Sequence, residues 1–338
     1  MSKHAYVTFV MRNDSFIPGA LVFAYALRQQ ETEADLVCMV TKEVSHEAVK
    51  SLEEIYDKVI TIDAFYVPHN QRHHRQDRPF LFTRFQALRL GKDGDLGETY
   101  EKIIIADADL LPLKYYDTIF DLQEPAGVIN EKKEYCMEYQ DGVYIVPDSV
   151  YSDGTWIWHK HYQDYPLGAK IPKEITDRVI NDYQNMGVNA ALYLFKPSIS
   201  LLASIIEDTN DIEMQKHIAN FPWPEMQYIT YKMSGKWLNL DLRFSSFNGY
   251  PIIDVLWGIH YAGLKPWQRN HRSINHFAKN EDYRLWYAVF KAMVSKYPRL
   301  LENRKLDNLN AWIDDLTGDS TYHFNRKTLD NVKHLFES

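Results

Sequence analysis

Strand and helix signals alternate strictly through the first 130 residues, and that alternation limits the fold more than any other feature of the chain. YVTFVM (residues 6–11) is β-branched and aromatic and predicts a first strand. RNDS (12–15) is a polar break, and GALVFAYALRQQ (19–30) has apolar residues at helical spacing. DLVCMVT (35–41) predicts a second strand, and SHEAVKSLEEIY (45–56) a helix capped by Ser45 with Glu47 in its first turn. KVITIDA (58–64) predicts a third strand, FTRFQALRL (82–90) a helix and KIIIADADLL (102–111) a fourth strand. Such an order implies parallel strands joined by right-handed crossovers with helices on both faces, an open α/β sheet. In these sheets ligands gather beyond the carboxyl ends of the strands, where RNDSFIPGA and the ADAD strand end both fall.

Composition narrows the class. A chain of 338 residues with 45% hydrophobic content can build one large core with additions, or two small ones. Gly and Pro number only 14 each, and no segment is biased enough to read as a disordered tail. A net charge of -8 and a pI near 5.9 give no electrostatic footprint for nucleic acid. QRHHRQDR (71–78) is locally basic, but a solvated loop explains it as readily as a phosphate site. The two cysteines, Cys38 and Cys136, form neither a disulfide framework nor a metal spacing, so reduced thiols are expected. The opening MSKHAYVTFV lacks a signal-peptide apolar run, and no stretch of 18 apolar residues would span a bilayer; a soluble cytoplasmic protein is expected.

Asp107 and Asp109 interrupt an apolar run that wants to be buried, and a buried carboxylate needs a cation, a hydrogen-bond donor or water. Two residues apart in an extended chain, they point to one side. Two readings fit. Either a hard divalent cation such as Mn²⁺ or Mg²⁺ lies between them, or Asp109 caps a turn while Asp107 pairs with a nearby Lys or Arg. GIHYAGLKPW (258–267) adds an imidazole, His260, as a third ligand type, Lys265 as a point charge for phosphate, and Gly263 for close backbone approach.

YVTFVMRNDSFIPGALVFAYAL, the ADAD strand end, NMGVNAALYLFKP (185–197) and HYAGLKPW together resemble, in order and spacing, the glycogenin-like glycosyltransferases of family 8. The resemblance covers about residues 3–268. It implies a GT-A fold, a nucleotide-diphospho-sugar transferase architecture with a Rossmann-like open mixed sheet, and transfer of a sugar from a UDP-sugar with retention and with Mn²⁺, Mg²⁺ being the alternative. Carried over by position, Asp107 and Asp109 are the Asp-X-Asp metal motif, His260 completes the metal ligands, and Ala108 counts with the donor-binding residues. Gly263 and Lys265 contact the diphosphate; Thr8, Phe9, Asn13 and Phe16 lie where the family contacts uracil and ribose. Phe16 stands where a tyrosine is usual, which keeps stacking and loses a hydroxyl. Arg84 takes the place of a lysine near the donor, with a solvent-facing helix residue as the bland alternative.

On the sugar side Asn185 and Gly187 match the family's Asn-Ser-Gly stretch, with Met186 in place of the serine and Asn189 as a further amide. Glu225 in FPWPEMQYIT (221–230) matches the expected carboxylate, but Met226 stands where a glutamine is expected and Gln227 comes one residue late. The resemblance thus implies Glu225, Arg84 and Lys265 as catalytic groups: two cations for the leaving diphosphate and one carboxylate for the oxocarbenium-like ring. The position at which glycogenins glucosylate themselves falls at about Asn248, with Tyr250 two residues on.

The expected organisation is a GT-A domain over 1–270, an acceptor-side aromatic insertion over 131–180 that core packing explains equally well, and a C-terminal helical extension over 271–338. YRLWYAVFKAMVSKY (283–297) reads as a helical cap on the main domain, with a dimer-forming helix as the alternative. Three functions follow: a retaining hexosyltransferase acting on a glycan or protein hydroxyl with UDP-glucose as first donor, a weak or inactive nucleotide-sugar or glycan scaffold, or a sugar-1-phosphate nucleotidyltransferase. The last wants a Gly-rich basic phosphate loop that RNDSFIPGA does not provide.

Overall fold

The computed structural model describes residues 2–70, 76–129, 138–140, 143–145, 165–248, 253–269, 280–317, 324 and 326–336. The strands are β1 (His4–Val10), β2 (Asp35–Thr41), β3 (Lys58–Ile62), β4 (Lys102–Ala106), β5 (Leu110–Pro112), β6 (Ala126–Ile129), β7 (Glu138–Gln140), β8 (Val143–Ile145), β9 (Val188–Phe195), β10 (Leu238–Asn239), β11 (Ser246–Phe247) and β12 (Gly258–His260). The helices that matter below are α1 (Ile17–Gln29), α2 (His46–Glu53), α3 (Ile199–Asn210), α4 (Ile212–Asn220), α5 (Pro224–Lys232), α6 (Glu281–Lys296) and α7 (Arg304–Thr317).

A seven-stranded sheet in the order β10-β6-β9-β4-β1-β2-β3 runs through the molecule. Strands β4, β1, β2 and β3 are mutually parallel, as the alternation predicts, while β9 runs antiparallel between β4 and β6 and makes the sheet mixed. Side chains alternate across it because a strand has a period of two. Tyr6, Leu36, Cys38, Ile104 and Leu192 enter one apolar cluster; Val7, Val37, Met39, Ile105 and Tyr193 enter the other. Both faces are buried, which is why the strands read as continuous apolar runs.

Helix α1 is apolar on every side, and the fold uses all of it: each residue from Ile17 to Leu27 is buried. The sheet lies on one side and α6 on the other, with Tyr283, Trp286, Tyr287 and Phe290 in the same cluster as Leu21 and Phe23. Ser45 caps α2 as its position predicts, its Oγ accepting from Ala48 N–H at 3.2 Å. Asn303 Oδ1 accepts from Lys305 N–H at 3.0 Å at the start of α7, and its Nδ2 donates to Ser51 Oγ at 3.1 Å, tying α7 to α2.

Two elements differ from the sequence reading. The helix expected over 82–90 is part of a 3₁₀ stretch, Arg78–Leu90. The strand expected over 102–111 is broken: β4 ends at Ala106, and β5 belongs to a separate three-stranded sheet, β11-β12-β5. Among the described residues no helix is long and apolar enough to cross a membrane. Within the expected 131–180 insertion, residues 131–137, 141–142 and 146–164 lie outside the described residues, as do Cys136, Tyr250 and 71–75 of the basic run.

Gly258 opens β12 where the Tyr116 hydroxyl donates to the Phe244 carbonyl, and a Cβ at Gly258 would collide with both oxygens. Gly258→Ala is therefore expected to cost about 1–3 kcal/mol by overpacking, and to displace His260 two residues on. Urea unfolding checks the first effect and titration with Mn²⁺ the second; unchanged stability would show that β12 has slack.

Candidate active site

The site begins where the chain leaves the main sheet. Asp107 N–H still donates to the Ala191 carbonyl of β9 at 3.0 Å, but Leu110 N–H turns back to the Asp107 carbonyl at 3.2 Å. Residues 107–109 thus form a turn, so a turn and not strand periodicity brings the two carboxylates together. Strand β5 then pairs antiparallel with β12, Leu110 opposite His260, and Tyr261 N–H donates to the Asp109 carbonyl at 2.9 Å. That register delivers His260: its Nε2 is 3.4 Å from Asp109 Oδ1 and 3.8 Å from Asp107 Oδ2. The imidazole stacks on Phe247, with ring centroids 5.5 Å apart. No sequence signal marked Phe247, which reaches the site only because β11 lies beside β12.

Two cations face the carboxylates. Arg84 donates from Nη2 to Asp107 Oδ1 and from Nη1 to the Ala190 carbonyl, both at 2.7 Å, and its Nη2 lies 3.7 Å from Glu225 Oε1. Burial alone would lower the guanidinium's pKa, but the carboxylates of Asp107 and Glu225 outweigh it and hold the group charged. Lys265 Nζ donates to Asp109 Oδ2 and, at 2.6 Å, to the Tyr261 carbonyl. For Asp109, burial would raise the pKa; Lys265 and then His260 overcome that and hold the carboxyl far below the usual carboxylate range. The paired-carboxylate and metal-ligand readings of the motif therefore meet at the same two carboxylates, the cations on Asp107 Oδ1 and Asp109 Oδ2 and the imidazole beside Asp107 Oδ2 and Asp109 Oδ1.

Asp107, Asp109 and His260 each offer one donor atom within 4.8 Å of the others, and this donor set fits a hard divalent cation. Asp109 Oδ1 is buried with no hydrogen-bond partner among the described residues, a lone-pair site that an ion would satisfy. His260 Nδ1 is likewise buried without one.

Around this cluster stand the residues expected on the donor side. Thr8 is buried at the end of β1, its Oγ1 donating to the Ala106 carbonyl at 2.9 Å, and Phe9 follows it half-buried. Asn13 lies on the exposed loop, where its side-chain oxygen accepts from Ser15 N–H at 2.8 Å. Phe16 meets Trp267 edge to face at 5.7 Å between centroids, and Lys265 Nζ sits 5.9 Å from the Phe16 centroid. Ala108 is buried at the turn, and Gly263 is half-buried between His260 and Lys265.

The residues expected beside the sugar are held by one another. Asn185 Oδ1 accepts from Gly187 N–H at 3.0 Å. Gly187 has φ +71, and a Cβ there would come within 2.6 Å of Thr230. Gln227 is wholly buried in the first turns of α5: its Nε2 donates to the carbonyls of Tyr183 at 3.0 Å and Asn185 at 2.8 Å, and its Oε1 accepts from Trp223 N–H at 2.9 Å. That amide is committed to backbone. Met186 and Met226 both belong to the apolar cluster on the β9 side of the sheet, and Asn189 Oδ1 accepts from Ala191 N–H at 2.8 Å. Glu225 is buried in the first turn of α5, where the helix dipole favours a carboxylate. Asn248 is buried, its N–H on the His260 carbonyl at 3.0 Å and its Nδ2 on the Tyr283 hydroxyl at 3.3 Å.

Arg84→Met should leave the Asp107 and Glu225 carboxylates without their shared cation and cost about 3 kcal/mol in urea unfolding. Arg84→Lys keeps the charge but cannot span the three oxygens, so its loss should be smaller. Wild-type stability in Arg84→Met would show that neither carboxylate depends on it.

No protein-family model matches the chain. Uncharacterized protein R707 of Acanthamoeba polyphaga mimivirus is 27% identical over 284 residues, covering 80% of this chain and 84% of that one. Glycogenin-1 of Homo sapiens is 30% identical over 153 residues, covering 44% of this chain and 41% of the glycogenin, less than half its length. Galactinol synthase 2 of Arabidopsis thaliana is 24% identical over 324 residues, 93% of this chain and 85% of that one. By its sequence, the chain is similar to glycogenins over part of its length and to a galactinol synthase over most of it.

Proposed function

We propose that the protein moves a hexose, with glucose the first candidate, from a UDP-sugar to a hydroxyl of a glycan or protein, with retention at the anomeric carbon. The observation that carries this reading is the cluster of Asp107, Asp109 and His260 with Arg84 and Lys265 bonded to its carboxylates. Its relation to glycogenin-1 and galactinol synthase 2 supports it.

Two carboxylates and an imidazole suit Mn²⁺, with Mg²⁺ as the alternative. A divalent cation bound there supplies Lewis-acid stabilisation of the negative charge that grows on the leaving diphosphate. Lys265 contributes a second positive charge to the same oxygens. Arg84, anchored on the Ala190 carbonyl, fixes Asp107 and lies 3.7 Å from Glu225 Oε1. Glu225 then faces the sugar ring as it becomes oxocarbenium-like. The acceptor hydroxyl attacks from the face that UDP leaves and gives its proton to the β-phosphate, so no protein nucleophile is required. Asn185, Gly187 and Gln227 shape the wall beside the sugar through the bonds described above. Asn248, at about the position used by glycogenins, has no hydroxyl and is buried, so this reading puts no self-glucosylation on that residue and leaves another tyrosine as the candidate.

The test is calorimetric titration with UDP-glucose, UDP-galactose, UDP-xylose, UDP-N-acetylglucosamine and UDP-glucuronate, with and without Mn²⁺, beside an assay for released UDP. One donor should bind and release UDP in a Mn²⁺-dependent manner, and Asp109→Asn should lower the rate by about 10²–10³-fold. Binding without release under any acceptor would favour the scaffold reading; no binding of any UDP-sugar would sink the assignment.

A further inference from the structure

We propose that Lys265 is a movable counter-charge that holds the divalent-cation site closed until a diphosphate arrives, so that metal and nucleotide bind as a pair. This rests on the reading of Asp107, Asp109 and His260 given above and adds to it how the site is gated.

The ammonium of Lys265 bonds directly to Asp109 Oδ2, on the same carboxylate whose Oδ1 is open to a divalent ion. Its side chain is only 12% exposed and that of Asp109 8%, so water screens little between them. A divalent ion on Asp109 would lie against that ammonium, and like charges in a poorly solvated space repel strongly. The charges around the site make the same point. Three carboxylates, Asp107, Asp109 and Glu225, face two cations, Arg84 and Lys265, leaving one net negative charge. A divalent ion added alone overshoots neutrality; one added with a diphosphate does not.

Of the two cations, only Lys265 is free to give way. Arg84 is held by the Ala190 carbonyl and by Glu225 as well as by Asp107, all through one planar group. Lys265 has a flexible four-carbon stem, and its other anchor is the carbonyl of Tyr261, four residues away in its own loop. The Phe16 ring, with its centroid 5.9 Å from Nζ, offers a neighbouring surface on which a cation can rest. An ammonium that pivots off Asp109 toward Phe16 stays in the pocket and meets the diphosphate oxygens. The lysine that blocks the ion alone thereby becomes the ligand that welcomes the pair.

The experiment is direct Mn²⁺ titration of the full chain, without and with saturating UDP, for wild type, Lys265→Met, Lys265→Gln and Asp109→Asn, each checked for folding by circular dichroism. In wild type, UDP should tighten Mn²⁺ binding by roughly 10-fold or more, within the usual range of site-to-site coupling. Both Lys265 variants should bind Mn²⁺ alone roughly 5-fold tighter than wild type, and the gain from UDP should shrink to about 2-fold or less. In thermal unfolding, Mn²⁺ without UDP should raise the midpoint of the Lys265 variants more than that of wild type. If the folded variants bind Mn²⁺ no tighter than wild type while Asp109→Asn abolishes binding, Lys265 is no gate and the metal assignment stands. If Mn²⁺ binds neither wild type nor the Lys265 variants, with or without UDP, the metal assignment falls and the gate with it.

Discussion

Two carboxylates in one turn, one buried and one half-buried, have to be neutralised, and most of the molecule around Asp107 and Asp109 answers that demand. The sheet would otherwise carry an apolar strand straight through this point. It stops at Ala106, turns, and restarts as β5 in another sheet, whose neighbour β12 brings an imidazole. Arg84 arrives from the 3₁₀ stretch on one side and Lys265 from the loop after β12 on the other. Remove the break in the strand and none of these groups has a reason to meet.

The α/β class was legible because it rests on local period: apolar strands and an all-apolar α1 differ in sequence from amphipathic α2, and nothing long-range is needed to see it. The residue types of the site were legible too, since Asp, His and Lys are rare in apolar runs without a cause. What sequence hid was geometry set by distant pairing. β5 keeps an apolar pattern, LLP, indistinguishable from a continued strand, so the turn at 107–109 leaves no mark. The partner of Lys265 lies 156 residues away, and that of Arg84 Nη1 is a backbone carbonyl 106 residues away. Gln227 shows the same limit. Its one-residue displacement was visible, but its bonds go to the carbonyls of Tyr183 and Asn185, and main-chain acceptors carry no signature in a side-chain string.

The sides of the site that we propose for the sugar and for the diphosphate differ in stiffness for reasons that are plain in their bonds. On the sugar side Gln227, Thr230, Asn185 and Gly187 lock α5 to the start of β9: Thr230 Oγ1 accepts from Val188 N–H at 2.9 Å and donates to the Met226 carbonyl at 2.8 Å. Gln227 Nε2 and Oε1, Thr230 Oγ1 and Asn185 Oδ1 all close on backbone. On the diphosphate side the chain supplies a loop with a glycine, a long side chain and aromatic rings meeting edge to face. A rigid wall suits discrimination between sugars by shape, and a yielding one suits a charged group that comes and goes.

The burial of α1 on every side bears on how such a chain comes into being. The helix lies far ahead of α6 in the chain, yet its outer face is covered by α6, and Lys296 reaches back to Gln29 across 267 residues. The sheet beneath it likewise waits for β9 to separate β4 from β6. A chain emerging from the ribosome therefore exposes a wholly apolar helix until α6 is synthesised, a topology of distant contacts that slows folding. The first helix and the group of Asp107, Asp109 and His260 are thus each completed by segments that follow them at a distance in the chain.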